Sequence, residues 1–195
     1  MQSPDGLATE LSDLKNYVTS KLLWNPNLSA EKLRDEFLDL HYGPAAGPIR
    51  DYINLLHDTA RINTKSKPWV SFCGWRENFG LDDEFVQAGM KLFEQALRLA
   101  DNEVVRNRVE KASICIYSAA IDDAYRWGHT VLHDGKGEYD TRPIDPSLAP
   151  TRPYARKFFE LCEKYGVTHW NLGQDINSAR GYIRRAYGLK EDEPL

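Results

Sequence analysis

Cysteine is scarce in this chain, and the little there is does not pair. Cys73, Cys115 and Cys162 are odd in number and far apart, with no Cys-x-x-Cys couple, which excludes a disulfide framework and a zinc knuckle. They are expected to be small buried apolar side chains and decide no compartment. A basic block is also missing: 25 basic and 29 acidic residues are interspersed, for a net charge of -4. That balance speaks against non-specific binding to nucleic acid or to a membrane surface. No apolar run approaches the length of a membrane span, and the opening MQSPDGLATEL lacks the basic stretch and apolar stretch of an export signal. Gly-rich phosphate loops, nucleophile elbows and dinucleotide fingerprints are absent too. No catalytic residue, cofactor or metal is therefore expected.

What is present suits a globular helical protein. At 195 residues and 22.4 kDa, with 42% hydrophobic residues, the chain can bury a real core as one domain, or as one domain with part of another. It opens on Ser3-Pro4-Asp5-Gly6, a loop that ought to follow something, so a fragment of a longer protein is expected.

The stretch LLWNPNLSAEKLRDEFLDLHYGPAA, Leu22 to Ala46, organises the first half. From about Thr9 to Trp24, Leu11, Leu14, Val18 and Leu22 fall three and four apart and predict an amphipathic helix. Asn25-Pro26 stops it, because a residue before proline is pushed out of the helical region. Ser29 caps a second helix carrying Leu33, Phe37 and Leu40, with Glu31 in its first turn. Gly43 offers a C-terminal cap and Pro44 pre-sets the next turn. The third helix carries Ile49, Tyr52, Ile53 and Leu56 to about Ala60, its first turn disturbed by Pro48. Tyr17, Trp24 and Tyr52 are read as core.

Asn63 to Leu81, with two glycines, a proline and many aromatics, reads as an ordered loop, Val70-Ser71-Phe72 being a short extended piece at most. Asp82 or Asp83 caps the next helix, to about Ala100, and a longer helix runs from about Glu103 to Trp127. Gly128 to Pro150 reads as a long surface loop that wraps over a surface or faces another domain. Helices from Thr151 to Tyr165 and from Asp175 to Tyr187 complete an all-α fold: about seven helices in an irregular bundle with long loops, without internal repeats.

Four constellations could carry chemistry. His129 and His133, four apart and followed by Asp134, have the spacing by which two imidazoles on a helix reach one ion. The glycines around them place them in a loop, and no third ligand is evident. Glu31, Asp35, Glu36 and Asp39 share one helix, whereas a glycosidase needs carboxylates facing across a cleft from different elements; here, as at Asp122-Asp123, they read as solvated surface. His41 and Tyr42 end the second helix, from which they could reach a cleft, while a histidine there is equally explained by its charged form suiting the helix dipole. The aromatic cluster Trp69, Phe72, Trp75 and Phe79, with Arg76 and Glu77, is compositionally suited to stacking on sugar rings while charged groups bind hydroxyls. Trp69, Trp75, Arg76 and Glu77 are thus the candidate carbohydrate contacts, set against the plainer reading of a loop pinned to the core.

The order Tyr17…Lys21-Leu22-Leu23-Trp24-Asn25-Pro26, Asp35-Glu36-Phe37-Leu38, Tyr42-Gly43-Pro44-Ala45-Ala46, then Ile49 and Tyr52, resembles the C-terminal part of the bacterial family called domain of unknown function 4838. Leu81 to Ala100, and Val105 to Val109 with Arg108-Val109-Glu110, is similar to the helical pair that follows in such proteins. The likeness covers roughly residues 2 to 125. It implies a glycoside-hydrolase-like parent in which a β/α-barrel precedes a helical domain, periplasmic or secreted. Residues 1–26 would be a loop and the last barrel helix, with residues 2 to 6 at the catalytic end, and 27–195 the helical C-terminal domain. The barrel strands and their catalytic carboxylates are not in this sequence.

The reading that follows is a non-catalytic accessory domain buttressing the barrel and bordering its substrate cleft, its partners the barrel and a polysaccharide or oligosaccharide. The alternative is an independent module binding carbohydrate or protein through residues 69–79. A small metal enzyme using His129, His133 and Asp134 ranks third.

Overall fold

The structure, a computed structural model, describes residues 11–66, 76–133, 145–171, 174–190 and 193–195; for 64–66, 77–78, 130–133 and 171 it describes the backbone alone. Helix α1 (Ser12–Trp24) ends where Asn25 turns extended, its N–H still bonded to the Lys21 carbonyl. The Asn25 side chain accepts from the Asn27 amide at 3.1 Å and tightens the turn. Helix α2 (Ala30–Tyr42) starts from Ser29, whose hydroxyl accepts the Lys32 amide at 3.3 Å. Gly43 closes it at φ 50°, ψ -125°, a pairing that residues with a Cβ avoid. A 3-10 turn, Gly43–Ala45, leads into α3 (Ala46–Ser66). Pro48 sits in the first turn of α3 without breaking it, because the amide it lacks has no partner there anyway.

A second 3-10 turn (Arg76–Phe79) precedes α4 (Asp83–Leu99), capped by the Asp82 carboxylate, which accepts the Phe85 amide at 2.9 Å. Then come α5 (Glu103–Ala120) and α6 (Asp122–His133). The expected single helix from Glu103 to Trp127 is interrupted at Ile121, and Asp122 and Asp123 form the acidic first turn of a new one, where carboxylates suit the positive helix end. A 3-10 turn (Pro146–Thr151), α7 (Arg152–Lys164), a small antiparallel ribbon of β1 (His169–Asn171) with β2 (Gln174–Asp175), and α8 (Ile176–Ala186) follow. The Asp175 carboxylate caps α8, accepting the amides of Asn177 and Ser178 at 3.0 Å each. Apart from that ribbon, the described residues form an all-α fold.

The chain divides into two compact units, the described residues to Ile116 falling in the first and those from Tyr117 in the second. In the first, Leu38, Ile49, Val109 and Ile116 are fully buried. Tyr52 tilts against Phe85 and Phe93 and sets its hydroxyl 3.4 Å from the Cys115 sulfur. Gly89 of α4 admits no side chain, since a Cβ there would lie 2.7 Å from Ile116 Cδ1. In the second, Phe158, Leu161 and Ile183 are fully buried, and Gly128 of α6 meets α8 so closely that a Cβ would stand 2.0 Å from the Tyr182 carbonyl oxygen.

Three expectations are corrected here. Gly128 does not end a helix; α6 runs through it to His133, because its missing side chain serves the contact with α8 rather than a turn. Helix α3 continues past Ala60 to Ser66, shortening the expected loop. Trp24 is 92% exposed rather than core, since it sits on the last helical position, beyond the packed stripe. Val70-Ser71-Phe72 lies outside the described residues, as do residues 134–144 of the expected Gly128–Pro150 loop.

Candidate functional site

Of the four candidate carbohydrate contacts, Trp69 and Trp75 lie outside the described residues, and of Glu77 only the backbone, in the Arg76–Phe79 turn, is described. Arg76 is placed: its Nη2 donates to Asp83 Oδ1 at 3.0 Å, the arginine largely covered and the aspartate open. The turn is tied further by the Leu81 amide bonding to the Arg76 carbonyl at 3.1 Å. It is also fitted by Gly80, at φ 74°, whose Cα faces Asn63 and Thr59 of α3. Arg76 thereby links the turn to the start of α4.

His129 and His133 are on helix α6, not in a loop. The His129 ring lies 5.7 Å from that of Tyr125 and 5.2 Å, edge to face, from that of Tyr182. Tyr125 in turn stacks on Trp170 at 4.5 Å, within 9° of parallel. His129 is therefore part of an aromatic stack that ties α6, β1 and α8. The side chains of His133 and Asp134 lie outside the described ones, and among the described residues no group of three potential metal ligands forms.

Three carboxylates of α2, Asp35, Glu36 and Asp39, are engaged by basic and phenolic partners. Asp35 accepts from Arg34 at 3.1 Å and from Arg50 at 3.2 Å, Arg50 also donates to Asp39 at 2.8 Å, and the Tyr17 hydroxyl donates to Glu36. Burial pushes the Asp35 carboxyl up, but the hydrogen bonds from Arg50 and Arg34 outweigh it and hold the group below its ordinary range. A glycosidase's general acid needs the opposite shift. These contacts fasten α1 and α3 to α2.

His41 stacks on Phe37 at 4.5 Å and meets Tyr42 edge-on at 4.8 Å. Arg108 donates to the His41 carbonyl at 2.8 Å. Burial first, and the positive Arg108 second, push the imidazole down to about 4. It is neutral at pH 7, so the charged, dipole-stabilised histidine expected at this helix end is not what the fold holds. Tyr42 is buried, and its burial raises its hydroxyl above the ordinary range. Cys115 and Cys162 are buried free thiols, the latter pushed by burial up to about 12, against the pull of Arg180. A thiol so raised is a poor nucleophile.

Two surface features were not foreseen. Leu23, Trp24 and Leu28, around the α1–α2 turn, present apolar side chains to solvent. Between α1 and α3, floored by α2, lies a cleft of about 430 Å³. Its sequence signal was the α1 stripe of Leu11, Leu14 and Val18, which lines the cleft instead of being sealed against a neighbour.

The family comparison bears on this same corner. The model described as Domain of unknown function (DUF4838) matches residues 4–54. This segment is similar to that family. Its match is narrower than the likeness to residues 2–125, and within the described residues it takes in α1, α2, the Gly43–Ala45 turn and the start of α3. The exposed Trp24 lies in the matched segment, as does the cleft lining apart from Leu56 and His57. No curated protein and no solved structure matches the chain.

Proposed function

We propose that this chain is a non-catalytic helical accessory domain of a bacterial, glycoside-hydrolase-like, carbohydrate-active protein, buttressing a preceding β/α-barrel and bordering its substrate cleft. The observation that carries the reading is Trp24, 92% exposed beside exposed Leu23 and Leu28, inside the segment that matches DUF4838. A large aromatic left in water amid other apolar side chains is the kind of anchor that a partner surface covers. The engaged state of Asp35, Glu36 and Asp39 supports a structural role for this corner, since Arg34, Arg50 and Tyr17 already take them up.

Two measurements test the proposal. The genomic frame leading into the Met1 codon, or an adjacent one, should encode a β/α-barrel; a neighbourhood without one would remove the proposed partner. Calorimetric titration of the chain with a panel of glycans should give no heat of binding, and Trp75→Ala should titrate identically. Saturable heat that Trp75→Ala abolishes would instead establish the independent binding module centred on residues 69–79.

A further inference from the structure

The α1–α3 cleft has the build of a small-molecule site. Its volume of about 430 Å³ falls within the range of roughly 300–1,000 Å³ typical of ligand pockets. Leu14 and Ile53, both buried, form its inner walls, with Val18 and Leu56 further out. Aliphatic side chains make up these walls, and no Phe, Tyr or Trp lines the cleft, so it lacks the broad flat surface on which a sugar ring stacks. An aliphatic body fits it better.

Charge at the mouth is unequal. Two cations, Lys15 from α1 and Arg34 from α2, line the cleft against a single carboxylate, Glu31. Arg34 is partly satisfied by Asp35 at 3.1 Å, and Lys15 makes no ion pair among the described residues. An ammonium and a guanidinium at the rim of an apolar cleft complement a ligand with an anionic end, the head staying near water and the tail taking the aliphatic wall.

We propose that this cleft binds a small amphipathic anion, an aliphatic carboxylate of medium length, with its chain between α1 and α3 and its carboxylate at Lys15 and Arg34. The site is independent of the proposed docking through Trp24, and either can fail without the other. The cleft's volume of about 430 Å³ is that of a site for one small molecule.

Methyl-labelled protein titrated with sodium decanoate below its micelle concentration tests this. The expected result is saturable shifts of the Leu14, Val18, Ile53 and Leu56 methyl signals, with decyltrimethylammonium binding more weakly. Lys15→Glu, an exposed change that leaves the fold intact, should weaken decanoate by about threefold to fivefold, the scale of an exposed ion pair. Val18→Phe, which fills the cleft, should abolish binding while circular dichroism and melting stay near wild type. Absence of saturable shifts, shifts confined to other methyls, or equal binding of the cationic amphiphile would overturn the proposal. So would decanoate affinity unchanged in Lys15→Glu.

Discussion

Single side chains in this protein carry opposite burdens that their chemical type alone does not reveal. Tyr52 and Trp24 are both large aromatics on helical faces, yet one is buried among Phe85, Phe93 and Cys115 and the other stands in solvent. Truncating Tyr52 to alanine should cost about 3–5 kcal/mol, the usual loss for a large core side chain. Trp24→Ala should change stability by no more than about 0.5 kcal/mol, as for other surface positions. Urea denaturation of the two variants reads both numbers, and a Trp24 loss comparable to that of Tyr52 would show that it is packed. His41 gives a pH signature. Unfolded, it takes up a proton near 6.5; folded, only near 4. Between those values the unfolded chain binds more protons, so stability falls as pH is lowered from about 6.5, and the loss is complete below about 4. After allowance for solvent screening at this half-buried site, the loss is about 1–2 kcal/mol. Melting from pH 7 to 4.5 should show a steeper decline in wild type than in His41→Gln; parallel curves would mean the imidazole titrates normally.

Between elements, local chemistry and tertiary packing divide the work. Ser29, Asp82 and Asp175 each accept backbone amides at a helix start, and such caps are legible from sequence because they depend on neighbours a few residues away. Most helix positions in the first 60 residues follow from the same short-range signals. What was not legible depends on partners distant in sequence. Gly128 reads as a breaker, yet it is the point where α6 meets the α8 backbone, which no local pattern encodes. The β1–β2 ribbon escaped notice because strands of three and two residues are too short to show alternation. The cleft was hidden for a related reason: an apolar stripe on α1 states that the face avoids water but not what meets it. The glycines give a clean contrast. Gly128→Ala should destabilise the protein by about 3 kcal/mol or more through the clash with Tyr182. Gly181→Ala, where a Cβ meets nothing within 4 Å, should stabilise it by about 0.5–1 kcal/mol through helix propensity. Differential scanning calorimetry would separate the pair, and equal effects would contradict the close approach of α6 to α8.

The molecule as a whole leaves apolar surface uncovered around the α1–α2 turn, where Leu23, Trp24 and Leu28 face solvent. Taken alone in solution, the chain should use that surface to self-associate weakly. Sedimentation velocity should show a mass that rises with concentration, and Trp24→Lys should return it to a monomer; monomeric behaviour of wild type at high concentration would count against an adhesive face. The most direct test of the proposed accessory role is the affinity of the chain for the proposed β/α-barrel partner, measured calorimetrically with wild type and Trp24→Ala. A one-to-one complex weakened about thirtyfold or more by the substitution, as expected of an anchor worth about 2 kcal/mol, is the predicted result. No complex, or one that Trp24→Ala leaves at full affinity, would contradict it.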